Sequence, residues 1–146
     1  MRKAICIVTI GIAALTASFA ATAESVTYKG TGTYTVSRGL LPLANGGAAL
    51  HLINDTIATI EPSESGFMDG DCAGLGYLSP EGETTLKVIC TFALNSADGF
   101  VIGIDGDPAS GAAVQIMGGR GKFDKATGTG NIRRKFVEGD RGSYEY

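Results

Sequence analysis

The chain has no tryptophan, one histidine, three cysteines and four prolines among its 146 residues. Each shortage excludes something. With His51 as the single histidine, a Ser-His-Asp or Cys-His machine has one candidate base, and no G-x-S-x-G elbow presents a serine to it. A lone histidine with no second ligand nearby reads as a rim or surface residue, so neither a metal nor a cofactor is expected. Beyond Glu24 no run approaches the roughly 18 apolar residues that a membrane span requires. No segment of about twelve residues shows the 3.6 period of an amphipathic helix.

The first residues belong to a different kind of sequence. Met1, Arg2 and Lys3 supply a positive start, residues 4–14 form an uncharged apolar run, and Ala21-Thr22-Ala23 is a small-x-small cleavage site before Glu24. That order reads as a secretory signal peptide over residues 1–23 and implies a periplasmic or extracellular protein. Residues 24–146 then form a single domain, long enough for one real core. Cys6 departs with the signal, leaving Cys72 and Cys90. An even count in an exported protein favours a structural disulfide, worth about 3 kcal/mol for a loop of this length in the chain-entropy model. A redox or metal pair would need C-x-x-C spacing or further ligands, and the sequence has neither.

Charge is uneven. Residues 24–107 carry a net of −8 and residues 108–146 a net of +3. The basic run Arg133-Arg134-Lys135 lies in an expected strand, where successive side chains point to opposite faces, so the three form no single patch and no nucleic-acid partner is expected.

Glycine is abundant, with 22 residues scattered among Val, Ile, Thr, Tyr and Phe, a composition for short strands joined by tight turns. Residues 26–37 alternate almost without a break. Val26, Tyr28, Gly30, Gly32, Tyr34 and Val36 share the inward phase, and Thr27, Lys29, Thr31, Thr33, Thr35 and Ser37 the outward one. The inward glycines would let this strand bend or leave space inside. Residues 38–47, with Pro42 and Asn45-Gly46-Gly47, read as a connection. Residues 49–60 carry apolar residues in both phases, Leu50 and Leu52 and then Ile53 and Ile57, which predicts a β-bulge or a strand buried on both faces. Residues 84–94 and 100–104 form a hairpin around a five-residue loop. Further short strands are expected at 71–78, 112–117, 128–136 and 143–146. The expectation is an all-β domain of about eight antiparallel strands, a small barrel or alternatively a sandwich.

Gly118-Gly119-Arg120-Gly121-Lys122-Phe123 is glycine-rich but fails as a phosphate loop, because Ile116 stands where the pattern needs glycine and Phe123 where it needs Ser or Thr. It predicts instead a bulged turn, with Gly119 or Gly121 at positive φ. The pattern Gly118-Gly119-x-Gly121-x-Phe123-x-x-x-x-Gly128 resembles the G-G-x-G-x-F-x-x-x-x-G segment of allene oxide cyclase and dirigent-type β-barrels. The same segment resembles one in small exported bacterial proteins of unassigned role. The resemblance implies eight antiparallel strands around an apolar cavity. Plant members act on lipid epoxides or guide phenolic coupling through polar groups inside the barrel, but no catalytic position transfers to this chain.

Asp69-Gly70-Asp71 and Asp105-Gly106-Asp107 read as two acidic turns, short of the ordered set of oxygen ligands that a Ca²⁺ loop needs. Tyr28, Tyr34, Phe92 and Ile102 are the candidate lining of a ligand pocket if the barrel is open, and core if it is filled. Three functions remain open: non-catalytic binding of a small apolar or aromatic ligand, interaction with an envelope partner, and a cofactor-free cyclase or isomerase. The absence of an inward carboxylate in the best strands places catalysis last.

Overall fold

The computed structural model describes residues 27–59, 61 and 67–146. The expected signal peptide over residues 1–23, Val26 and residues 62–66 lie outside the described residues. Eight antiparallel strands run in meander order and close on themselves: β1 Thr31–Pro42, β2 Ala48–Thr59, β3 Phe67–Leu78, β4 Thr84–Ala93, β5 Gly99–Gly106, β6 Ala112–Arg120, β7 Gly128–Glu138 and β8 Arg141–Glu145. Among the described residues the single helical turn is Gly121–Phe123, and no helix is long and apolar enough to cross a membrane. The loops at 43–47, 79–83, 107–111 and 139–140 gather at one end of the barrel, and those at 94–98 and 121–127 at the other.

Alternation of buried and exposed residues is clearest on β3 and β4. On β4, Val88, Cys90 and Phe92 point inward and are buried, while Lys87, Ile89 and Thr91 are exposed. The outer face carries Thr31, Thr33, Thr35, Asp55, Asp71 and Lys87 together with the exposed Ile53, Ile57, Leu75 and Ile89, and the buried residues of the inner face are mostly apolar. Cys72 and Cys90 stand opposite each other on β3 and β4, both inward, and are joined as a disulfide.

Several strands exceed their expected lengths. β1 continues through Arg38 to Pro42, where the sequence suggests a connection, because these residues pair with β2 as far as Ala48. Pro42 is tolerated there as the last strand residue. The turn proper is Leu43 to Gly47, where Asn45 Oδ1 accepts from the Gly47 N–H at 3.0 Å. Asp69-Gly70-Asp71 is not a turn. It lies inside β3, with Gly70 inward and both carboxylates outward. β2 has neither a bulge nor two buried faces. Its pairing with β1 and β3 is unbroken, and Ile53 and Ile57 are 57% and 52% exposed on the outer surface.

The space inside is set by pairing large residues with glycine. Across β3 and β4, Gly70 faces Phe92, Gly74 faces Val88 and Gly76 faces Leu86. A Cβ on Gly70 would lie 2.6 Å from the Phe92 ring. The β1–β8 seam repeats the device in both directions, with Tyr144 of β8 over Gly32 and Tyr34 of β1 over Gly142. Gly30 and Gly32 therefore do not open the interior, contrary to the expectation from the sequence. Tyr146 and Tyr144 fill the places beside them.

The Gly118–Gly128 segment closes the barrel end opposite the four gathered loops. β6 is bulged, so that Val101 pairs with Gly118 and Ile102 with Ile116, leaving Met117 over. Gly118 and Gly121 have positive φ, 149° and 63°, and Gly119 does not. Gly119 serves close approach instead, since a Cβ there would meet Phe123 Cβ at 2.6 Å. Phe123 packs on Phe100 at 5.0 Å between ring centres, and Phe100 on Phe92 at 5.4 Å. Asp98 Oδ1 accepts from the Lys122 N–H at 3.0 Å and ties this turn to the 94–98 loop. Gly121→Ala should destabilise by about 1 kcal/mol or more, because it strains the backbone and drives a methyl into Asp98. Gly119→Ala should also lower the melting temperature, by displacing Phe123. A thermal melt of either variant that matches the parent would refute this account of the segment.

Candidate functional site

The half of the barrel nearer the gathered loops is not filled. A cavity of about 430 Å³ opens at that end, within the ~300–1,000 Å³ usual for small-molecule sites. Its walls come from Val36, Leu50, Leu52, Leu86, Val88 and Ile104, with the Cys72–Cys90 bridge among them. Phe92 and Tyr144 form the floor, and beneath them Ala58 and Met68 are buried. Leu40, Leu78, Thr84, Pro108 and Val137 stand around the mouth. The loop at 107–111 is held in place by the Arg134 N–H, which donates to the Pro108 carbonyl at 2.8 Å.

Polar groups within the cavity are few and individually placed. Thr56 is buried and donates to the Thr33 carbonyl at 2.9 Å, which commits its one hydroxyl hydrogen. The Tyr144 hydroxyl, 2.7 Å away, must then be the donor to Thr56 Oγ1. Asn54 Oδ1 is buried in the wall without a hydrogen-bond partner. Such orphaned acceptors are rare and cost roughly 1–3 kcal/mol, so they mark places where a partner belongs. Tyr34 leans over Gly142 of β8 toward β7, where Arg134 meets its hydroxyl. Arg38 and Arg134 both face the mouth, and neither has a carboxylate partner among the described residues.

The four residues expected to line a pocket do not enclose one space. Tyr34 and Phe92 line the cavity. Ile102 is buried beside Cys90 and does not line it. Tyr28 lies before β1, 41% exposed, because continuous pairing begins only at Thr31 and the chain there is held by an isolated bridge from Lys29 to Glu61. His51 is in the outward phase of β2 with its ring against Gly39. Asp105 pairs with Lys87 at 3.1 Å on the outer face, and Asp107 accepts from the Ala109 N–H at 2.9 Å within its turn. Among the described residues no group of His, Cys, Asp and Glu is arranged to hold a metal ion.

Asn54, Thr56, Arg38, Arg134 and Tyr144 carry the site's polarity without having been singled out in the sequence. A signal existed for two of them. In the phase Leu50, Leu52, Asn54, Thr56, Ala58, the two polar residues interrupt an otherwise apolar inward row. Comparisons with protein-family models, with curated proteins and with solved structures find no match to this chain.

Burial pushes the hydroxyls of Tyr34, Tyr144 and Tyr146 above the ordinary tyrosine range; Arg134 partly offsets this at Tyr34, Thr56 partly offsets it at Tyr144, and the nearby Tyr144 and Glu61 reinforce it at Tyr146. A raised folded-state value favours the neutral phenol in the native protein. The resulting stabilisation is complete below pH ~10, where the unfolded tyrosines are also neutral, and is lost as the pH rises through the folded values. The melting temperature should therefore fall above pH ~10, and Tyr144→Phe should flatten that fall. A melting temperature in which Tyr144→Phe follows the parent through this range would contradict the assignment.

Proposed function

We propose that the protein is a non-catalytic carrier or sensor of a small apolar or aromatic molecule held in the barrel. The observation that carries this reading is the cavity itself, apolar along its walls, open at one end and closed at the other by the packed Phe92–Phe100–Phe123 stack. Pre-formed apolar cavities with a few placed polar groups are the ordinary form of small-molecule sites. Export supplies the context: the signal-like residues 1–23 and the disulfide together fit an oxidising compartment, periplasmic or extracellular. The resemblance of the Gly118–Gly128 segment to allene oxide cyclase and dirigent-type barrels supports the same picture of a barrel built around a ligand. A cyclase or isomerase has less support. Among the residues lining the cavity there is no carboxylate, and His51, which borders it, stands in the outward phase of β2 with its ring on Gly39, so inward acid–base help would fall to tyrosine hydroxyls held neutral at ordinary pH.

Native mass spectrometry of the exported protein should show a retained small molecule that Leu52→Trp, which fills the cavity, no longer retains. Apolar probes should raise the parent's melting temperature by mass action and leave that of Leu52→Trp unchanged. Equal behaviour of the two proteins would overturn the reading.

One observation on the outer face favours docking to protein as a second reading. Ile53, Ala73, Ile89 and Gly103 stand in register across β2 to β5, with Met117 against Gly103 and Leu75 alongside, 68% exposed. Asp55 and Asp71 lie on one side of this row, and His51 and the Lys87–Asp105 pair on the other. A two-fold axis along the row would set the acidic side of one copy against the Lys87 side of another, which makes a second copy of the chain the fitting occupant. Sedimentation should show a dimer that Ile89→Lys dissolves; a monomeric parent would remove this reading.

A further inference from the structure

We propose that the ligand is an amphipathic anion, with a carboxylate or sulfonate-like head on Arg38 and Arg134 and an apolar body that carries a hydroxyl or N–H donor for Asn54. This rests on the cavity's being a ligand site and names the chemistry of its occupant. Three independent features support it. First, the chain is acidic overall, with 15 acids against 12 bases, yet two guanidinium groups converge at the cavity mouth with no carboxylate partner among the described residues. Other cations of the barrel do pair, Lys87 with Asp105 at 3.1 Å and Lys135 with Glu145 at 2.6 Å. Second, Arg134 is positioned. Its neighbour Lys135 takes up the irregularity between β7 and β8, which keeps Arg134 in the inward phase beside Ile132. Tyr34, lying over Gly142, has its hydroxyl beside the guanidinium. A guanidinium so placed offers its N–H groups as a fork for an oxyanion, next to low-dielectric walls where such bonds are strong. Third, Asn54 Oδ1 is an acceptor in the wall with no donor and is closed off from a water-sized group, so a donor on the ligand reaches it as the neighbouring side chains give way, whereas a purely hydrocarbon ligand would leave it unsatisfied. A hydrocarbon would leave both guanidiniums unused as well. A cation would be repelled at the mouth.

The test uses two fluorescent probes that share one fused aromatic body and one bridging N–H and differ only in a sulfonate: anilinonaphthalene sulfonate and phenylnaphthylamine. Each is titrated into the full mature chain, into Arg38→Gln, and into Arg38→Gln/Arg134→Gln, with folding checked by a cooperative melt. The sulfonate should bind about tenfold or more tighter than the neutral probe, and its affinity should fall with added salt. The double variant should lose that preference and hold the neutral probe within about twofold of the parent. If Arg134 proves necessary for folding, the exposed Arg38→Gln alone should still narrow the gap between the probes. Equal affinity of the two probes for the parent, or a sulfonate preference that survives the loss of both arginines, overturns the anion proposal while leaving the cavity reading in place. Failure of both probes to bind the parent overturns the two together.

Discussion

The barrel depends on a constraint of volume. Eight strands closed into a ring leave an interior that ordinary side chains must fill or leave empty. Here the inward positions are matched in register, with glycine opposite a large residue: Gly70 and Phe92, Gly74 and Val88, Gly76 and Leu86, Gly32 and Tyr144, Gly142 and Tyr34. Each pair lets a ring or branched chain lie flat over the neighbouring strand, so the wall is thin on one side and covered from the other. In the half nearer the closed end this packing is complete, and Ala58 and Met68 are almost wholly inaccessible. In the half nearer the mouth the large residues are aliphatic and hug the wall, which leaves the space between them empty. One device thus produces both a stable floor and an open cavity.

Polarity follows from the same geometry. Tyr34 can reach across β8 to Arg134 only because Gly142 has no side chain, and a Cβ there would come within 2.4 Å of the tyrosine ring. Tyr144 can reach Thr56 across the first strand for the corresponding reason at Gly32. The seam that closes the barrel is therefore also the seam that orients the polar groups of the site. The seam's pairing and the cavity's polar groups are linked there: a change that loosens the β1–β8 pairing moves the hydroxyl beside Arg134. The glycine-rich Gly118–Gly128 segment belongs to the other end and acts on the site indirectly, by sealing the floor through Phe123.

Much of the fold could be read from alternation. The all-β class, the strand count, the β4–β5 hairpin and the pairing of Cys72 with Cys90 all follow from period-two patterning, turn residues and cysteine count. Strand ends were harder to read, because glycine and aspartate are signals for turns. In β3 they instead occupy strand positions whose inward glycines make room for β4, so Asp69-Gly70-Asp71 looks like a break. The phase of β2 was obscured by Ile53 and Ile57, apolar residues that the outer surface exposes. The site was less legible than the fold for a physical reason. Whether Gly32 opens a space depends on what stands opposite it, and that register is a property of the closed ring. Arg134 appears in the sequence as one member of a basic run, and only its inward phase in β7, with Lys135 taking up the irregularity, separates it from its neighbours.

The central claim is that the half of the barrel nearer the mouth encloses a pre-formed cavity with apolar walls. Xenon occupies such spaces without needing a polar partner. Crystals of the mature protein held under xenon should show a bound atom between Leu52, Val88 and Ile104, with the surrounding side chains unmoved. Inward collapse of Leu50, Leu52 and Leu86 onto Val88, with no xenon inside the barrel, would contradict the account.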